Sequence, residues 1–599
     1  MCGLLFIHFE IVCNQDFRKM MRPIFFNSSC RMLMVLGTLL LVGMSTIDQT
    51  LVMAQDQRQT DTEAEAGEES PELIPVLVFN IASAQRSLND ISNMFQVAGR
   101  PDMMEVVQGF LGGAVGDLKG LDRTRPLGYM LFLEPSLPPR PRMVIYLPVS
   151  NEEELISTLR LGPAPITETG EHEYEIENRG RRGKTPLLVQ GDYAFILPTG
   201  QGFLKGETFP DPQTISTALA ARYDVSFTIR LKGIPPLIRE VFNTFVSQQF
   251  SAQMQQRDNE RDEAYEARRA RSTSIMQYLQ QLIRDGEEVT IGLDSTEDGR
   301  RAVAEITTEA RPETQFAKYL TGIAGKQSYF VPLLQEAHPL QISISWNMDA
   351  REQEAALGYL QALRLGLKRE LQLDTSETSS AVDALVDSLE ATAQQNHIDA
   401  ILQFLKRPGN ELVLVAGMKV AGSQTVGQSL KDVLTLVKEQ KSEKAIQLDA
   451  HQFRGVSLSK IPVGPAGGEL VNIYGRKPDF WIGTGSGILW IGFGGDDALK
   501  ALDEAIATTL SAPPRPDVAT TAPFQAILHA SSWLKYVDED ALNSPQGLLA
   551  SEILNPANDS LRLEVVTTES GARASLRFDE GFVNLLGALL AQLYDQTQL

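Results

Sequence analysis

Cysteine is confined to the first thirty residues: Cys2, Cys13 and Cys30 are the only three in a chain of 599. Everything after residue 30 therefore lacks a thiol for a disulfide, a thiolate metal site, an iron–sulfur ligand or a cysteine nucleophile. Histidine is sparse as well. The five beyond the first thirty residues (His172, His338, His397, His451 and His529) stand at no metal-ligand spacing to one another. No H-E-x-x-H, G-x-S-x-G or phosphate-binding loop is present. Positive charge is in deficit, with 54 Lys and Arg against 76 Asp and Glu and a net charge of −22. That balance disfavours nucleic acid and anionic lipid surfaces as partners. Past residue 44, no run approaches the ~18 consecutive apolar residues of a membrane-spanning helix.

What is present begins with an export signature. Arg18, Lys19, Arg22 and Arg31 precede an uncharged apolar run from Met32 to Met44, and Val52-Met53-Ala54 offers a small-residue cleavage site. The pattern predicts a signal peptide over 1–54, with the residues before Met20 or Met21 reading as a mis-called start. An uncleaved membrane anchor is the alternative. The leader carries four positive and three negative charges, so its removal leaves a net charge of −23. Residues 55–74 are acidic and rich in small residues, the composition of a disordered linker.

The remainder is an internal echo. Val289 to Ile306 and Leu561 to Phe578 are both alternating hairpins around Thr-Glu-[Asp/Ser]-Gly, and each leads into an apolar helix at Phe316 or Phe582. The elements before them recur in the same order, and Ala512-Pro-Pro-Arg-Pro reads as a linker in the position of Phe209-Pro-Asp-Pro. We therefore expect an α+β fold of two duplicated units, mainly antiparallel sheet with helices packed on one face. The first unit covers 75–208 and 218–330, and the second 338–511 and 520–599. In the second unit the pattern is read as a strand at Leu340–Trp346, then helices from Arg351 to about Lys406.

Between Pro235 and Asp285, two apolar helical faces (Leu237, Ile238, Val241, Phe242, Phe245 and Val246; then Ile275, Met276, Leu279, Leu282 and Ile283) flank a highly charged stretch, Gln255 to Arg271. A solvated tip of a helical hairpin is one reading, and a partner-docking site through Tyr265, Arg268 and Arg269 is the other. The strand Val76-Leu-Val-Phe-Asn-Ile-Ala, the segment Asp122-Arg-Thr-Arg-Pro-Leu-Gly128 and this helix pair with Glu263-Ala-Tyr-Glu-Ala-Arg-Arg269 resemble a family of secreted proteins of planctomycete-type bacteria. The resemblance spans most of 75–325. It implies export and a duplicated architecture, and no activity.

Four motifs invite chemistry and each has a plainer reading. Asp294 to Glu305 matches the calcium-loop spacing except at Thr296, but strands flank it, Arg300 and Arg301 intrude, and the second copy has Thr567 and Ser570 instead. A hairpin turn with Gly299 at positive φ is the reading adopted. Ser532-Trp-Leu-Lys535 has the S-x-x-K spacing of penicillin-recognising enzymes without their partner motifs. Trp490-Ile-Gly-Phe-Gly-Gly-Asp-Asp497 looks like a phosphate cradle, yet Asp496 and Asp497 place negative charge where phosphate would sit. His397 and Asp399 read as a structural polar pair on a helix.

No catalytic, cofactor or metal residue is assigned. The expected function is a non-catalytic, exported, envelope-associated interaction or structural protein, periplasmic or extracellular. The alternatives are a periplasmic carrier or chaperone for apolar ligands, lined by Phe480, Trp481, Trp490 and Phe493, and a hydrolase whose residues meet only in the fold. An envelope protein or an apolar ligand is the expected partner, nucleic acid is not, and the oligomeric state stays open.

Overall fold

The computed structural model describes residues 74–115, 119–134, 140–160, 165–177, 184–198, 208–251, 254–296, 298–334, 338–371, 376–407, 411–440, 445–463, 473–475, 477–511, 522–537 and 539–598. The leader, nearly all of the acidic linker and the Ala512-Pro-Pro-Arg-Pro segment lie outside these residues. Residues 73–599 form one compact unit. Among the described residues, 15 helices accompany a single antiparallel sheet of 20 strands, an α+β fold.

The first half supplies β1 (Leu77–Ile81), β2 (Leu127–Glu134), β3 (Arg140–Pro148), β4 (Ile166–Gly170), β5 (Glu173–Glu177), β6 (Lys184–Gln190), β7 (Tyr193–Ile196), β8 (Val225–Arg230), β9 (Gly286–Ser295) and β10 (Ala302–Ala310). The second half supplies β11 (Leu340–Asn347), β12 (His397–Lys406), β13 (Leu412–Lys419), β14 (Gln447–Phe453), β15 (Val456–Pro462), β16 (Asp479–Gly485), β17 (Ile488–Gly494), β18 (Phe524–His529), β19 (Ser560–Thr567) and β20 (Gly571–Phe578). In space the first half runs β4-β5-β6-β7-β3-β2-β1-β8-β9-β10. The second runs β14-β15-β16-β17-β13-β12-β11-β18-β19-β20, the same order. Strands β10 and β20 pair antiparallel, from Ala302↔Phe578 to Glu309↔Gly571. Equivalent strands thus meet across a pseudo-twofold axis near Glu305 and Ser575, which fuses the two halves edge to edge.

Helices cover both faces of the outer strands, beyond the one-face packing expected from the hairpins, because strands such as β13 are apolar on both sides. Val413 and Val415 pack with Trp490, Ile488 and the helix Asp497–Ser511. Their neighbours Leu412 and Leu414 point the other way, toward Phe404 and Tyr474. Farther along that second face, Met418 and Leu489 meet the helices Ala350–Glu370, Ser376–Ala393 and Ser423–Gln440. The first half repeats this, with Ala194 packed on the helix Glu152–Arg160 and Phe195 on the opposite side with Phe209. Phe209 is buried, and Asp211 caps the helix Pro212–Ala220, so the Phe209-Pro-Asp-Pro segment is a core contact and a helix start.

Two further readings change. His397 to Lys406 is strand β12, not helix: Asn396 adopts a left-handed conformation (φ 55°) that ends the preceding helix. The charged stretch after Pro235 is not a solvated tip throughout. The helix Asp262–Asp285 packs along Ala350–Glu370, so closely that a Cβ on Gly358 would stand 2.6 Å from Ala270.

The sheet also buries polar side chains, and several of them pair with one another or with backbone. Thr228 and Thr290 share a hydrogen bond of 2.9 Å. Gln403 donates to Gln341 Oε1 (2.9 Å) and to the Leu333 carbonyl (2.8 Å), while Ser345 donates to the Lys326 carbonyl (2.8 Å). The segment joining the halves thus crosses the polar side of β11 and β12.

A charged cleft at the junction of the halves as candidate functional site

The β9–β10 turn occupies residues 296–301, whereas the β19–β20 turn occupies 568–571. The first is two residues longer, and its extra length carries charge. Gly299 sits at φ +65° over Asn93, as a turn glycine does. Gly571 is needed for another reason. A Cβ there would lie 1.9 Å from the Thr308 carbonyl, so only a residue without one permits the close β10–β20 pairing. In the longer turn Asp298 accepts from Thr296 Oγ1 (2.6 Å) and from the Arg300 amide (3.1 Å), and the Thr296 bond holds its carboxyl below the usual range.

This turn walls an open cleft of about 820 Å³ that both halves line. The first half contributes Arg86, Arg222, Asp294, Ser295, Asp298, Arg300 and Arg301. The second contributes Asn558, Asp579 and Glu580 from the loop before β19 and the start of the helix Glu580–Gln598. Ion pairs cross the junction, with Arg300 3.3 Å from Glu580 and Arg301 3.4 Å from Asp579.

Arg86 is the pivot of the cleft's inner wall. Ser83 caps its helix, Ala84–Val97, by accepting the Arg86 amide. The guanidinium donates to Asp294 Oδ1 (2.7 Å) and the Ala220 carbonyl (3.0 Å), and its Nε pairs with Asp224. Asp224 is buried and also accepts from the Ser295 amide (2.7 Å) and hydroxyl (2.8 Å). Behind it, burial and then the negative charge of Asp224 push the Asp90 carboxyl up to about 6. Burial, then Asp224, raises Asp294 as well. Three carboxylates thus crowd one guanidinium.

Glu305 lies on the same face of the hairpin, against the axis. It accepts from Arg222 Nη2 (2.6 Å), Tyr223 Oη (3.0 Å) and Ser575 Oγ (2.7 Å). Burial raises this carboxyl, but the Ser575 and Arg222 bonds outweigh it and leave it below its ordinary value. The calcium-like spacing therefore converges on arginines. Asp294 is held by Arg86 and Glu305 by Arg222, and among the described residues no group of three or more His, Cys, Asp or Glu side chains is placed to hold a metal ion.

The remaining candidates are dispersed. Trp533 packs inward on Phe404 (5.2 Å between ring centroids) and donates to the Pro339 carbonyl, while the Lys535 ammonium stands over the Tyr536 ring. After Trp490, β17 ends at Gly494 and Asp497 occupies the first turn of the next helix, where its negative charge suits the helix dipole. Asp399 accepts from Ser328 Oγ (2.7 Å) and the Tyr329 amide (2.8 Å), and His397 contacts Asn347, so both are structural members of β12. Arg268 is bound by Glu260, Arg269 pairs with Glu266 (3.1 Å) and Tyr265 donates to the Met254 carbonyl, so each of the three has a partner within this segment. The expected aromatic lining is split across the sheet. Trp481 and Trp490 belong to the core beneath Asp497–Ser511, and Phe480 and Phe493 lie on the opposite face.

Arg86, Asp90, Asp224, Asp579 and Glu580 carry no sequence pattern that singles them out. Their only common signal is that the two copies differ around the first turn. No helix among the described residues is long and apolar enough to cross a membrane. Comparison with protein-family models, curated proteins and solved structures gave no match for the chain.

Proposed function

We propose that this protein is a non-catalytic, exported binding protein of the cell envelope, and that the junctional cleft recognises a polar ligand bearing both donors and acceptors. One observation carries the reading. An open, charged concavity lies where the two halves meet, and the halves differ there, with Asp298 and Arg300 set on a turn two residues longer than its counterpart. Alternating guanidinium and carboxylate groups suit sugars and zwitterionic peptides, whose own groups can replace the internal ion pairs one for one. The exported location and the likeness to secreted planctomycete-type proteins belong to this proposal, supported by the N-terminal charge and apolar pattern.

Isothermal titration with soluble peptidoglycan fragments, neutral oligosaccharides and zwitterionic peptides tests it. At least one class is expected to bind, Arg300→Ala with Arg301→Ala should weaken that binding about tenfold, and mass spectrometry should recover the ligand intact. Ligand breakdown that Asp294→Asn abolishes would replace the reading with a hydrolase. Failure of every class, or binding indifferent to the double substitution, would remove the cleft as the site.

A further inference from the structure

The helix Pro236–Ser251 starts at the buried Ile238 and turns its half-buried Asn243, Val246 and Ser247 toward the fold, Ser247 accepting from Gln280 (2.8 Å), while the side away from these three carries an apolar stripe that faces solvent. Leu237, Val241, Phe242 and Phe245 are 53%, 54%, 43% and 55% exposed, at spacings that place them on one side of the helix. Little charge interrupts them. Arg239 is folded back, donating to the Ile234 carbonyl (2.9 Å) and the Lys232 carbonyl (3.1 Å). Single exposed apolar side chains need no explanation, whereas four large ones in a row do.

The place where the chain enters the fold indicates what covers them. Ile74, itself half exposed, sits against Gly233 just before this helix begins, 3.3 Å from where a glycine Cβ would be. The residues before it hold the apolar run Met32–Met44, and 29 residues (45–73) separate that run from Ile74. If the leader is retained as an anchor, the alternative to its cleavage, a flexible tether of that length would reach roughly 30 Å and hold the stripe within range of the bilayer the leader enters. A second copy is a poorer occupant: the four side chains offer on the order of 400 Å², about half of the ~800 Å² per partner that a stable interface needs. The acidic chain also has to approach lipid through apolar contact rather than charge, which this stripe provides.

We infer that the N-terminal segment is retained as an anchor and that the stripe Leu237–Val241–Phe242–Phe245 is a membrane contact, seated in the headgroup–acyl boundary of the bilayer that this segment enters. It requires no ligand in the cleft and stands apart from that reading.

Hydrogen exchange of the full chain, with and without phosphatidylcholine vesicles, is the test. Vesicles should slow amide exchange over 236–251 roughly tenfold, leaving the β13 amides unchanged. Val241→Glu with Phe245→Glu, both on the solvent side, should abolish that slowing while circular dichroism stays the same. Exchange indifferent to vesicles, or slowing that survives the double substitution, overturns the inference. So does slowing that follows protein concentration without lipid, which would make the stripe a contact between copies.

Discussion

Arg86 is the one place where a single atom group decides the electrostatics of the cleft's inner wall. Removing it in Arg86→Ala leaves Asp224, whose side chain is 11% exposed, beside Asp294 and Asp90 with their shared cation gone. Breaking a fully buried pair costs about 3–5 kcal/mol. Arg86 and Asp294 are each about one-third exposed, and solvent screening brings the expected loss at pH 7 to about 2 kcal/mol. The loss should shrink with acid, because protonating Asp90 and Asp294 relieves their repulsion of Asp224. Asp90→Asn is the complementary change. Its folded carboxyl is raised to about 6 from 3.8, so its proton stabilises the fold fully below the unfolded value and the benefit disappears as pH rises through about 6. The amide keeps the uncharged form at every pH. It should therefore stabilise by about 1 kcal/mol at pH 7, after discounting for partial exposure, and by nothing below pH 4. In the double variant Asp90→Asn should recover part of the Arg86→Ala loss, a coupling of about 1 kcal/mol. Urea unfolding followed by circular dichroism at pH 7 and pH 4 measures all four corners. An Arg86→Ala loss of equal size at both pH values would show that packing, not charge, sets it, and the account of the cleft's inner wall would fail.

Other substitutions probe the frame. Trp490→Ala empties a fully buried site between β17 and the helix Asp497–Ser511, and should cost about 3–5 kcal/mol by urea unfolding. Gly571→Ala forces a Cβ onto the Thr308 carbonyl and should cost about 1–3 kcal/mol, with faster amide exchange in β10 and β20 together. Gly299→Ala places a side chain at φ +65° with its Cβ 2.3 Å from that of Asn93, should cost about 1–3 kcal/mol and should speed exchange in the turn and in the helix Ala84–Val97 beneath it. Asp559 is fully buried, accepting from the Ser531 amide and contacting His529 Nδ1 at 2.8 Å. Asp559→Ala removes both contacts and should lower stability by about 2–3 kcal/mol, with a shift of the His529 ring resonances in NMR.

Much of the frame is legible in local pattern because hairpins and caps are local. The alternation of β9–β10 and β19–β20, the Gly299 turn and the order of elements in each half all follow from neighbours in sequence. Strand β12 reads as helix for a physical reason. Ile398, Ala400, Leu402 and Phe404 alternate, but Ile401 and Leu405 are apolar too, since β12 is buried on both sides, and a strand without polar alternation resembles a buried helix. The repeat itself holds the correction, because the first half places β2 at that point. The cleft is legible only in part. Asp294, Asp298 and Glu305 stand out through their spacing, yet their partners Arg86 and Arg222 arrive from elsewhere in the chain, and long-range pairing leaves no periodicity to find.

The β10–β20 pairing explains why the difference between the copies matters. Antiparallel pairing of equivalent strands is the self-complementary arrangement of a symmetric dimer, here built within one chain. In a true symmetric dimer, a change to the turn appears at both ends of the central strand pair, so any charged wall made by that turn is duplicated. Fusion removes the constraint. The first turn carries Asp298, Arg300 and Arg301 across to Asp579 and Glu580 of the other half, and the second stays short and places Gly571 where backbone must approach backbone. The folding requirement at the axis is met by the short turn and by the Glu305–Ser575 contact between the strands. The long turn is thereby free to hold charges that the sheet does not need, and a functional reading of this molecule follows from that asymmetry rather than from the repeat.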